Sequence, residues 1–341
     1  MKPIYSRRAV LTSMGLAAFT GPALWLPRRS QSADSYLNPM QKSRVVIARA
    51  ENILQPDNTL DAERAGKLLD EAMRALGGLG EKKEAVDVWR SLFSPADRVA
   101  IKINSLAGRM LSPHPELAYA IAERLIEIGI PADRIVIWDR SERELEKAGY
   151  DPREAKGKAL LAATDSQGVG YEPQPEISGS IGSCFSRIVS KGCTALINLG
   201  VLKDHDLSGV SAAMKNLFGV IHNPNRYHFD VHKDPYLPDL CLHPYIKNKI
   251  RLTICDGFRG QYDGGPAYSP KGIWNYGGLI ASTDQTAVDS VAESILSRKR
   301  RENNLPSFRE QDREPLYIQL AEEKKVGRAD PSRIDAVEAT I

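Results

Sequence analysis

Closely paired cysteines are missing from this sequence of 341 residues. Cys184, Cys193, Cys241 and Cys255 form no CxxC pair, so neither a zinc ribbon nor an iron–sulfur motif is written in the chain. An oxidising compartment would allow disulfides among them, and buried free thiols explain the same residues equally well. Also missing are a GxGxxG after the first expected strand, a Walker A loop and a GxSxG elbow. Their absence removes the common nucleotide and α/β-hydrolase readings. There is no internal repeat and no low-complexity tract. Past the N-terminus, no apolar run approaches the roughly twenty residues that a helical membrane span needs. No stable span is expected in the mature chain.

A basic excess is lacking too, once the first residues are set apart. Ser6-Arg7-Arg8-Ala9-Val10-Leu11-Thr12 leads into an apolar stretch, 9–26, that Gly15, Thr20, Gly21 and Pro22 interrupt. Paired arginines ahead of a broken apolar segment predict a twin-arginine signal peptide over residues 1–33. Ser30, Ser32 and Ala33 supply small residues for cleavage. The Tat translocase is then the export partner, and the mature protein is expected in the periplasm or another extracytoplasmic place. Residues 1–33 hold Lys2, Arg7, Arg8, Arg28 and Arg29 and no acid, so the formal charge of +3 becomes −2 without them. The basicity belongs to the signal, and no nucleic-acid partner is expected.

Residues 34–341 read as a single α/β domain with a largely parallel or mixed sheet and helices on both faces. Short apolar runs mark strands at 44–48, 99–104, 134–139, 195–199, 252–255 and 278–281. Helices are expected at 60–76, closed by Gly77-Gly78, at 115–128, and at 285–296 with Thr283 or Asp284 as cap. The charged stretch 297–304 reads as a solvated segment. Ligands in such folds sit beyond the carboxyl ends of the strands. Polar residues stand at those ends here: Lys102 and Asn104, Asp139, Lys203 and His205, and Asp256.

The stretch 207–219 reads as a helix with Leu207, Val210, Met214 and Leu217 as its buried stripe. Ser208, Ser211, Ala212 and Lys215 then lie toward another face, where small residues let a ligand approach the lysine. Near a helix end, Lys215 would also be favoured by the helix dipole.

The run Val201-Leu202-Lys203-Asp204-His205, followed by Ala213-Met214-Lys215-Asn216-Leu217-Phe218-Gly219, resembles the domain of unknown function 362 family. Ile101-Lys102-Ile103-Asn104, His228, Asp256-Gly257, Gly265-Pro266, Asp284 and Ala287-Val288-Asp289 add to the resemblance, which covers roughly 97–297. It implies an α/β domain with a site around Lys203, His205, Lys215 and Asn216, and it implies no reaction. Many relatives resemble fusions to a ferredoxin-like module, which points to redox work. This chain departs from that arrangement because its cysteines are not clustered.

Five of the six histidines fall between His205 and His243. In an extended segment His228, Asp230 and His232 would share a face and converge on a first-row transition metal. Hydrogen bonding to neighbours is the plainer role for the same side chains. His114 and His243, each beside proline, read as structural.

The function expected is therefore an exported enzyme, an oxidoreductase by the hint of the resemblance, using a metal or an anionic cofactor or substrate. Lys203 and Lys215 would hold carboxylate or phosphate oxygens of an anionic small molecule, with Lys102, Asn104, Asn216 and Asp256 assisting. His205 would act as a general acid and base or as a ligand, since an unperturbed imidazole titrates near pH 6.5 and suits either task. The alternatives are a non-catalytic periplasmic binding protein for the same anion, and an assembly partner with an exposed apolar patch.

Overall fold

Apolar runs with few breaks form strands buried on both sides, and these set the frame. The computed structural model describes residues 42–78 and 84–341. The twin-arginine signal lies outside the described residues. The first strands are β1 (Ser43–Arg49), β2 (Val99–Lys102), β3 (Ile135–Asp139) and β4 (Leu160–Ala163). β5 (Glu176–Ser178) and β6 (Ile181–Ser183) form a separate two-stranded ribbon. Then come β7 (Ala195–His205), β8 (Gly209–Ser211) and β9 (Ile250–Gln261). β10 (Ile273–Trp274), β11 (Gly278–Ser282) and β12 (Ile334–Thr340) complete the set.

The main sheet has ten strands in the order β12-β1-β11-β9-β7-β2-β3-β4, with β10 paired to β9 and β8 to β7. Along that path β11 alone runs against its neighbours. The sheet is mixed, mainly parallel, and covered on both faces. On one face Ile101, Ile137, Ile197 and Ile254 pack under the helices Ala62–Leu76, Ala85–Leu92 and Pro115–Glu127. On the other, Ala100, Trp138 and Leu196 meet the helices Tyr236–Cys241 and Tyr317–Glu323. Val45, Leu202, Cys255 and Ile280 meet the helix Gln285–Glu302 on that same side. Burying each such aliphatic side chain contributes about 1.5–3 kcal/mol. The α/β expectation is met, and no helix among the described residues is long and apolar enough to cross a membrane. All four cysteines are free thiols.

Two expected elements are different. Residues 207–219 are not one helix: β7 turns at Asp206 into the short antiparallel β8, and a 3-10 helix, Met214–Val220, follows. Gly209 takes a φ of 73°, and a side chain there would meet the Arg313 carbonyl. Ser208 Oγ donates to the Val210 carbonyl, a local bond that competes with a helix. Leu207 lies 46% exposed and so buries no stripe. The amides of Ala213 and Met214 instead donate to Asp289 at 2.7 and 2.9 Å, which starts the 3-10 turn. The second difference is at 297–304. The helix capped by Asp284 runs on to Glu302, and Arg300 is buried, with its guanidinium on Tyr262 O, Asp263, Pro306 O and Gln311.

Candidate anion-binding site

β7 is buried along its whole length, and it carries two of the candidate residues to the carboxyl edge of the sheet. Its pairing with β9 shifts register between Val201 and Lys203, and such irregularities re-aim the side chains that follow. Alternate strand positions share a face. Leu202 and Asp204 therefore point one way, to the core and to Arg313 respectively, while Lys203 and His205 project together. The segment from β8 through Val220 lies directly on β7, because a Cβ on Gly200 would stand 1.7 Å from the Ala212 carbonyl. Asn198 Nδ2 donates to Ala213 O at 2.9 Å and fixes the same contact. This docking brings Lys215 to the end of β7.

Lys203 is 0% exposed and Lys215 is 7% exposed. Lys203 Nζ faces the Pro266 carbonyl at 3.1 Å and Asn104 Oδ1 at a long 3.4 Å. Lys215 Nζ lies 2.8 Å from His228 Nε2 and 4.6 Å from the centre of the Phe218 ring. Among the described residues neither amine has a carboxylate at ion-pair distance. Asp139 and Asp204 act on Lys203 only from further off, as Asp206 does on Lys215. Burial pulls the Lys203 amine down to about 8. Burial and then the Lys203 charge pull the Lys215 amine down to about 7. An ammonium has three N–H donors, so hydrogen-bonding capacity is left over on both residues.

The two histidines nearby are held neutral. Burial, followed by the Lys215 charge, lowers His228 to about 4 and pushes His205 far below the ordinary imidazole range. Their ring centres are 5.8 Å apart. His205 Nδ1 is flanked by the Leu207 amide at 3.1 Å and Asp206 Oδ1 at 2.9 Å, which leaves Nε2 as its free edge. The expectation that His205 titrates as an acid and base near neutral pH is corrected: among these cations it stays uncharged.

Lys102, Asn216 and Asp256 are turned to structural work. Lys102 Nζ pairs with Asp139 at 2.7 Å and donates to Ile103 O and Asn216 Oδ1. Asn216 Nδ2 reaches Asn198 Oδ1 and Lys102 O, so its carboxamide is used at both ends. Asp256 accepts from the backbone amides of His114 and Phe258 and lies 2.8 Å from His114 Nδ1. Their expected ligand-binding roles find no open side-chain edge. Asn104, half-buried beside Lys203, does face the lysine.

The expected metal triad is also corrected. His228 closes a 3-10 helix and residues 229–233 are turns, with Asp230 at a φ of 51°, so the side chains do not alternate about an extended strand. His228 turns to Lys215, and Asp230 pairs with Lys233 at 2.9 Å. His232 is buried, with its carbonyl accepting from the Tyr317 amide. Among the described residues no three His, Cys, Asp or Glu side chains gather as a metal set.

A cleft of about 450 Å³ opens at the ends of β3 and β4, and neither lysine lines it. Arg140, Glu144, Asp165, Tyr171, His222 and Asn223 line it. Arg140 Nε is buried without a hydrogen-bond partner, and its charge helps to hold His228 neutral. Sequence reasoning missed this cleft, whose residues come from separate stretches around 140–144, 165–171 and 222–223. The one local signal is Asn223-Pro224, a turn dipeptide that aims the segment leading to His228.

No curated protein matches the chain. A crystal structure of a Thermotoga maritima protein matches with a TM-score of 0.34 and 10% identity, over 77% of this chain and 59% of that one. The chain thus covers less than two thirds of that protein's length, and so low a score carries no argument. The family model described as Domain of unknown function (DUF362) matches residues 99–293, the stretch that contains both lysines, both histidines and the strands that carry them. The chain belongs to the DUF362 family.

Proposed function

We propose that this chain is an exported enzyme that binds a small anionic molecule between Lys203 and Lys215 and uses Lys215 as its proton-transferring group. One observation carries the reading: among the described residues, the two buried amines of Lys203 and Lys215 have no carboxylate at ion-pair distance. Burying a charge without a partner is costly, and a bound carboxylate or phosphate supplies the missing partner. The Pro266 carbonyl and Asn104 orient Lys203, and His228 orients Lys215, so the spare N–H groups are fixed in direction. A group titrating at about 7 is suited to give and take protons at neutral pH. His205 contributes its free Nε2 edge as a neutral hydrogen-bonding group.

A second reading, a non-catalytic binding protein for the same anion, is favoured by the two histidines. Both stay neutral and neither supplies a proton in the physiological range. Calorimetric titration with oxalate and with phosphate tests the anion site common to both. Saturable binding of one of them is expected, weakening as pH rises through about 7 to about 8 because the lysines lose their charge. Lys203→Met should abolish it. Binding that is unchanged in that variant would overturn the proposal.

A further inference from the structure

We propose that the Lys215 amine is a nucleophile that forms a Schiff base with a small aldehyde or ketone bearing a carboxylate, an inference that rests on the anion site above. The argument starts from the partner that Lys215 has been given. A lysine beside a carboxylate is held as ammonium and has no lone pair to offer. Lys215 Nζ lies instead 2.8 Å from His228 Nε2. His228 Nδ1 is 2.9 Å from the Pro224 carbonyl, which can only accept, so the ring proton sits on Nδ1 and Nε2 presents a lone pair. The imidazole thus accepts one Nζ hydrogen and leaves the amine's own lone pair unused.

The surroundings act in the same direction. Phe218 covers one side of Nζ, and burial with the nearby Lys203 charge leaves much of the amine unprotonated at neutral pH. Desolvation together with a neighbouring cation is the general way in which lysines are activated toward carbonyl compounds. Lys203 also sets the substrate class. It shares a face of β7 with His205, whose ring centre lies 5.8 Å from that of His228, the partner of Lys215, so the carboxylate that Lys203 holds and the carbonyl that Lys215 attacks belong to one small molecule.

In the reaction the Nζ lone pair adds to the carbonyl carbon, and the C=O π pair moves to oxygen. A proton passes from nitrogen to that oxygen, giving the carbinolamine. The remaining N–H proton goes to the hydroxyl, the C–O bond breaks as C=N forms, and water leaves. Amine and carbonyl become imine and water, with no oxidant or reductant consumed.

The test is reductive trapping. Wild-type protein is incubated with glyoxylate and cyanoborohydride, and the modified lysines are mapped by mass spectrometry. Carboxymethylation is expected at Lys215 at least about tenfold above the exposed Lys67, because an ordinary lysine titrates near 10.4. The rate should rise through about pH 7. It should be lost in Lys215→Arg and reduced in Lys203→Met, and oxalate should suppress it. Labelling spread evenly over surface lysines, or unaffected by oxalate, would overturn the inference even if a variant fails to fold. Oxalate binding without an adduct at Lys215 removes the Schiff base alone, whereas failure of both removes the anion site as well.

Discussion

Lys102 and Lys203 stand at neighbouring strand ends, both nearly or fully inaccessible, and do opposite jobs. Lys102 faces Asp139, whose carboxyl is pushed up by burial and pulled below its ordinary value by Lys102. Gly219 has no side chain because a Cβ would stand 2.6 Å from Lys102 Nζ. Lys102→Met therefore leaves a buried carboxylate without its cation, and should cost about 3–5 kcal/mol in urea denaturation. Lys203→Met and Lys215→Met keep the apolar stem and strand no acid, so each should leave stability unchanged or raise it. Their pH dependence has a definite sign. Both amines are depressed on folding, so the unfolded chain binds more protons between about pH 7 and about pH 10. Stability from these groups rises with pH in that window, and the Met variants should flatten the rise. Strand-end position marks Lys102 and Lys203 in the sequence, and Lys215 is marked by the small residues of its own segment. These marks do not tell a paired lysine from an unpaired one, because the partner Asp139 arrives from another strand.

The elements that were legible are those whose burial is local in character. β2 and β3 are short continuous apolar runs, and Ala62–Leu76 has a helical apolar spacing and its stop at Gly77, although its cap, Asp61, falls inside the expected 60–76. The segment after β7 was not legible, although Leu207, Val210, Met214 and Leu217 fit a helical spacing. A hairpin wins there because Asp289, far along the chain, captures the Ala213 and Met214 amides and the strand itself pairs with β8. Arg300 was misread for the same reason: its acceptors come from Tyr262, Pro306 and Gln311. The β7–β8 contact can be tested directly. Gly200→Ala forces the 212–220 segment off the strand, since the added methyl would stand 1.7 Å from Ala212 O. A loss of about 1–3 kcal/mol is expected from such overpacking, together with loss of anion binding as Lys215 moves away. Wild-type stability and binding in this variant would show that the segment does not depend on the close approach.

At the scale of the whole molecule, a mainly parallel sheet places its polar strand ends on one edge, which is where open α/β folds bind ligands. The unneutralised amines sit on that edge and the Lys102–Asp139 pair braces it from beneath. Export remains part of the proposal and rests on Arg7 and Arg8. Replacing both with lysine should leave the protein in the cytoplasm, as fractionation would show, and normal periplasmic accumulation of the double variant would remove that claim. The central claim is that Lys215 is a buried amine kept free of any carboxylate for the sake of a ligand. Nuclear magnetic resonance of lysines labelled at Cε, with Lys215 assigned by comparison with Lys215→Met, measures this directly. The account predicts that Lys215 titrates at about 7 in the free protein and moves upward when oxalate or phosphate is bound. A Lys215 resonance that titrates in the ordinary lysine range, near 10.4, and does not respond to either anion would contradict it.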